Sequence, residues 1–173
     1  MESFLTKLND ITTFIFDVDG VLTDGSVFVT ETGVQSRAFN IKDGYALQLA
    51  VKSGYNVAAI SGSRSKSALF RLNSLGIKDV YLGTHTKVDR FKLYTQEKGI
   101  HPSRVLYMAD DIPDLETMKM VGLPVCPADA AEEIKAICSY VSPIPGGRGC
   151  VREVIEKVMK VQGTWMNEKA YSW

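Results

Sequence analysis

The sequence predicts a single α/β domain, a parallel sheet with helices on both faces, carrying one small β-hairpin insertion. Two observations predict it. Short β-rich apolar runs alternate with helix-period stretches along most of the chain, which is the pattern of parallel strands joined by crossover helices. Three of those runs end in short polar or glycine-containing stops: Asp17 and Asp19, Ser61 and Gly62, and Asp110 and Asp111. In parallel sheets, ligands bind beyond the carboxyl ends of the strands.

Residues 12–16 read as the first strand. Residues 26–30 and 35–40 are rich in β formers and flank Glu31-Thr32-Gly33, so the stretch 26–40 reads as a hairpin. A helix follows over 44–53, with Tyr45, Leu47, Leu49 and Ala50 as its apolar positions. Residues 56–60 form a second core strand, 66–75 a helix, 79–82 a strand and 88–98 a helix. Residues 105–108 are another strand, followed by a helix near 114–121 and a short strand near 124–126. The last strong helix covers 152–161, and the tail over 163–173 has no clear period and reads as flexible. With no repeat, low-complexity run or linker, one domain is expected over 1–173. The hairpin insertion, roughly 20 residues, is too small to be a separate lid domain.

The 173 residues suffice for one domain with a sizeable core. Lys plus Arg count 20 and Asp plus Glu count 20, so nothing points to nucleic acid or an anionic membrane as partner. A 45% hydrophobic content argues against disorder. Cys126, Cys138 and Cys150 are odd in number and have no close pair, against a disulfide framework or a zinc site. The start lacks a basic segment followed by an apolar one, and no apolar run approaches a bilayer span. A cytoplasmic protein with reduced thiols is expected.

The strongest chemical signal is the run Phe14-Ile15-Phe16-Asp17-Val18-Asp19-Gly20-Val21-Leu22-Thr23-Asp24-Gly25. An apolar strand runs directly into two carboxylates two residues apart. A carboxylate there can attack phosphorus when a cation offsets its charge, and a second can shuttle a proton. Gly20 permits a sharp turn beneath them. Ser61-Gly62 offers a hydroxyl and a backbone N–H to phosphate oxygens, although alone it also reads as a helix cap. Lys87 opens a helix, where it is either a solvated charge or a phosphate neutraliser. Asp110 and Asp111 end a strand, with Asp114 one turn on, and an all-oxygen set favours magnesium over zinc. His85 and His101 lack partners at metal-binding spacing. Trp165 and Trp173 stand in the aperiodic tail as candidate contact residues.

Together these motifs resemble the haloacid dehalogenase phosphatase superfamily, in the right order. The resemblance implies a Rossmann-like fold with Asp17 as nucleophile, Asp19 as acid/base, and Ser61 and Lys87 as phosphate-binding groups. It implies Mg2+ held by Asp17, the main-chain carbonyl of Asp19, and Asp110, with Asp111 nearby. One departure is Ala109, where a glycine usually precedes the acids. A narrower resemblance is carried by residues 17–25, by Ala38-Phe39-Asn40-Ile41-Lys42-Asp43-Gly44, and by Gly146-Gly147-Arg148-Gly149-Cys150-Val151-Arg152-Glu153. These runs are similar to the capless 3-deoxy-D-manno-octulosonate 8-phosphate phosphatases. That implies release of a free eight-carbon sugar acid for lipopolysaccharide synthesis. It also implies a homotetramer in which hairpins join and a neighbour covers each site.

The sequence departs from this family at Gly62-Ser63-Arg64, where the arginine is displaced by one, and at Cys150, where alanine is frequent. Candidate substrate-binding residues are Lys42, Asp43, Gly62, Arg64, Arg71 and Arg148; a bidentate arginine suits the sugar carboxylate. Alternatives are a phosphatase for a nine-carbon ulosonate phosphate, a phospho-receiver module and a non-catalytic tetramerisation module. Asp19 has no purpose in a receiver, and the intact acidic set argues against a purely assembling role.

Overall fold

A computed structural model describes residues 4–172. In chain order the elements are α1 (Phe4–Asp10), β1 (Thr13–Phe16), β2 (Phe28–Val29), β3 (Gln35–Ser36), α2 (Ile41–Lys52), β4 (Asn56–Ile60), α3 (Lys66–Ser74) and β5 (Asp79–Tyr81). They continue with α4 (Lys87–Lys98), β6 (Val105–Met108), α5 (Leu115–Met118), β7 (Leu123–Cys126), α6 (Glu132–Lys135), β8 (Tyr140–Val141) and α7 (Cys150–Val161).

The main sheet has six parallel strands in the order β5-β4-β1-β6-β7-β8. The chain starts in the middle at β1, builds outward through β4 and β5, then returns to β6 on the other side. The reversal opens a crevice beyond the ends of β1, β4 and β6. Alternation along β1 explains the two-sided core. Phe14 and Phe16 face one layer with Leu47, Leu72, Val154 and Ile155. Ile15 faces the other with Phe91, Tyr94, Tyr107 and Met118. Both faces are apolar, so a parallel sheet covered on both sides is the stable arrangement.

The predicted strands at 56–60 and 105–108 match β4 and β6. Helix α2 starts three residues earlier than expected because the Asn40 side chain accepts the N–H groups of Lys42 and Asp43. The hairpin is shorter than its β-rich sequence suggests: only Phe28 and Val29 pair, with Ser36 and Gln35. The helix expected near 114–121 closes after Met118. The elements α1, α6 and β8 carry no strong sequence signal.

The tail expected to be flexible is packed against the body. Trp165 is only 6% exposed and meets Tyr45 edge-on at 6.2 Å. Tyr45 donates its hydroxyl to the Ala170 carbonyl, Asn167 donates to Ser53 Oγ, and residues Glu168–Tyr171 form a helical turn. Trp165 is therefore a core residue of this chain rather than an exposed contact, and Trp173 lies outside the described residues. Among the described residues no helix is long and apolar enough to cross a membrane.

Candidate active site

Strand β1 delivers Asp17 to the crevice, and the backbone then makes a tight turn over Val18–Leu22. Gly20 provides the turn with φ of 81°. Thr23 braces it, accepting the N–H groups of Gly20 and Gly25 at 3.3 Å each. Asp17 Oδ1 accepts the Val18 N–H at 2.7 Å, and its Oδ2 pairs with Lys87 Nζ at 3.0 Å. The carboxylate is thereby aimed rather than mobile.

Lys87, the first residue of α4, is buried. It also reaches Asp114 Oδ2 at 2.6 Å, and Tyr107 donates its hydroxyl to Asp114 Oδ1 at 2.7 Å. Two buried carboxylates thus share one ammonium. Burial, with the Asp114 charge adding to it against the attraction of Lys87, pushes the Asp17 carboxyl up to about 7. Burial, reinforced by Asp111 and Asp114, pushes Asp110 up to about 6.

Asp17, Asp19, Ser61, Gly62, Lys87, Asp110 and Asp111 line one cavity of about 470 Å³. Ser61 is buried at the end of β4, and its Oγ accepts the Ser63 N–H at 3.2 Å. A side chain on Gly20 would run into the Asp110 carboxylate, so two acidic loops meet with no room between them. Asp110 is held in turn by the Ala131 N–H, which donates to its carbonyl at 2.8 Å. Ala109 is fully buried, and no non-glycine residue among those described has a positive φ, so alanine fits where glycine is usual.

This oxygen-rich set, with the Asp17 carboxylate buried and that of Asp110 half-buried, suits a hard divalent cation. Among the described residues no three acidic, histidine or cysteine side chains converge on one point. The expected ligand set needs only the carboxylates of Asp17 and Asp110 with the Asp19 carbonyl, so the residues fit magnesium.

Most candidate substrate-binding residues lie elsewhere. Lys42 is exposed on the first turn of α2 and does not line the cavity. Asp43 is buried, and its Oδ1 accepts the Arg152 N–H at 2.7 Å, so it caps α7 from a neighbouring helix. Arg64 lies against Gly83, outside the cavity lining. Arg71 lies against Gly44, in a separate small pocket with Leu47 and Leu75. Arg148 pairs at the surface with Asp24 at 3.1 Å. Only Gly62 of that set lines the cavity within this one chain.

Arg37 was not among the candidates. From just beyond β3 it forks onto Asp19, with Nε to Oδ1 at 2.5 Å and Nη2 to Oδ2 at 3.2 Å. Its Nη2 also donates to Ser63 Oγ at 3.0 Å. No local signal marks it, because the contact crosses the hairpin. His85 and Thr84 also line the cavity, just ahead of Lys87.

No protein-family model matches the chain. The 3-deoxy-D-manno-octulosonate 8-phosphate phosphatase of Salmonella typhi is 38% identical over 168 residues, covering 97% of this chain and 89% of that protein. The Yersinia pestis phosphatase of the same name has a crystal structure with a TM-score of 0.90 and 36% identity, covering 92% of this chain and 86% of that one. The Moraxella catarrhalis phosphatase, solved with magnesium, phosphate and a KDO molecule, has a TM-score of 0.89 and 33% identity, covering 92% and 91%. Near-complete coverage in sequence and in fold places this chain in the 3-deoxy-D-manno-octulosonate 8-phosphate phosphatase family.

Proposed function

We propose that this chain hydrolyses 3-deoxy-D-manno-octulosonate 8-phosphate to the free sugar acid and phosphate, through a phosphorylated Asp17. The observation that carries the reading is the aimed Asp17 carboxylate, fixed by Val18 and Lys87 in the same cavity as Asp110 and Ser61. Asp17 attacks phosphorus, the bond from phosphorus to the sugar oxygen breaks, and Asp19 gives that oxygen a proton. Asp19 then takes a proton from water, which attacks the aspartyl phosphate and restores Asp17. Ser61 and the Gly62 backbone hold phosphate oxygens, and Lys87 offsets their charge. Asp17, the Asp19 carbonyl and Asp110 would hold magnesium, which would polarise the phosphoryl group and offset its repulsion from Asp17.

We also infer a homotetramer built through the hairpin, in the cytoplasm, serving lipopolysaccharide precursor synthesis. Phe28, Val29, Val34 and Ile41 are each more than 60% exposed, an apolar surface concentrated on and beside the hairpin. Among the described residues no separate lid covers the cavity, and closure by a neighbour would exclude water from the phosphorylated site. Lys42 and Arg148 would then meet substrate only across an interface.

A phosphate-release screen over eight- and nine-carbon ulosonate phosphates, with magnesium, tests the substrate. The highest kcat/KM is expected for the eight-carbon ester, and a clear nine-carbon preference contradicts it. Sedimentation at micromolar concentration tests assembly, and a fully active monomer contradicts it.

A further inference from the structure

Arg37 is the unexplained group at this site. The hairpin strands beside it are exposed, yet its guanidinium side chain is only 4% exposed. It grips both carboxylate oxygens of Asp19, and its Nη1 is buried with no hydrogen-bond partner. A buried guanidinium N–H without an acceptor is costly, and an arginine fork is shaped for a planar carboxylate. Asp19 and Ser63 line the cavity, and Arg37 bonds to both without lining it itself. In this arrangement each Asp19 oxygen already accepts an arginine N–H, which turns the carboxylate toward Arg37. Arg64, which the sequence offers for the sugar carboxylate, is folded onto Gly83.

We propose that Arg37 is the specificity-determining residue that takes the substrate's carboxylate, exchanging Asp19 for it. The inference rests on the proposed reading of the site. A carboxylated ester displaces Asp19 from the fork, satisfies the guanidinium and leaves Asp19 free to face the leaving oxygen. A phosphate ester without a carboxylate cannot make the exchange and meets an Asp19 still held. Recognition and the availability of Asp19 are thereby one event.

The test measures kcat/KM for 3-deoxy-D-manno-octulosonate 8-phosphate and for arabinose 5-phosphate, which lacks the carboxylate. The protein is compared with Arg37→Met, Arg37→Lys and Arg64→Met. In Arg37→Met the preference for the carboxylated ester is expected to fall about 10- to 100-fold, the usual weight of a charged hydrogen-bonded pair. Arg37→Lys keeps charge without the fork and should retain part of the preference. Arg64→Met should lower it less than Arg37→Met. Loss on both esters in equal proportion, or a larger collapse in Arg64→Met, overturns the proposal. If Arg37→Met does not fold, inhibition of the unaltered protein decides. The free sugar acid should inhibit at least about tenfold better than its methyl ester, and equal inhibition overturns the proposal. A protein that hydrolyses neither ester contradicts the proposed function itself, whereas hydrolysis with an unmoved preference contradicts only the role of Arg37.

Discussion

Lys87 Nζ lies closer to Asp114, at 2.6 Å, than to Asp17, at 3.0 Å. The lysine is therefore anchored by a carboxylate behind the site while it faces the one in front. Tyr107 fixes that rear anchor through its own hydroxyl. The geometry lets one ammonium hold Asp17 in place and still present positive charge to a phosphate.

Replacing Lys87 with Met leaves two buried carboxylates without their shared cation. Breaking such a buried pair costs about 3–5 kcal/mol, and losing one preorganised charge costs about 10²- to 10³-fold in rate. Urea unfolding and phosphate release measured on the same Lys87→Met protein check both. A variant of normal stability and normal rate would show that Lys87 is only a solvated charge.

Gly20→Ala addresses the metal site. The new methyl would collide with the Asp110 carboxylate at a backbone φ of 81°, which costs a side chain about 1–2 kcal/mol by itself. Displacing Asp110 should weaken magnesium binding by about 10- to 100-fold. Calorimetric titration of magnesium into the variant reads this directly, and unchanged affinity would place the metal elsewhere.

Asp43 gives a pH dependence with a definite sign. Burial pushes its carboxyl up to about 6 from 3.8, against the N–H groups of Arg152 and Gly149 and the Arg152 charge. Its Oδ2 is buried without a partner. A carboxyl raised on folding binds its proton more tightly in the folded state. Its contribution to stability is full below about pH 4 and is lost as pH rises through about 6. The stability of the unaltered protein should therefore fall, relative to Asp43→Asn, between pH 4 and pH 7. Denaturant midpoints across that range check it, and parallel curves for the two proteins would refute it.

The core strands β1, β4 and β6 were legible because each is a short apolar run with a polar stop. Asp17, Ser61 and Asp110 were legible as site candidates for the same reason, each standing at or just beyond the end of its own strand, and Lys87 was legible as the opening residue of a helix. What local pattern could not reveal was partnership across distance. Asp43 follows the hairpin in sequence and read as a substrate residue, yet its partner Arg152 is 109 positions away, at the start of α7. Arg37 meets Asp19 across 18 positions and a hairpin, with nothing periodic to mark it. The tail gave no period because single anchors hold it, Trp165 in the core and the Ala170 carbonyl on Tyr45.

Asp17 is the proposed nucleophile, whose carboxylate oxygen forms the bond to phosphorus. Asp17→Asn keeps nearly the same shape and can still accept the Val18 N–H, so the fold should survive, as circular dichroism would show. Phosphate release from 3-deoxy-D-manno-octulosonate 8-phosphate with saturating magnesium should then fall by about 10⁴-fold or more. A folded Asp17→Asn protein releasing phosphate at near the unaltered rate would contradict the covalent mechanism.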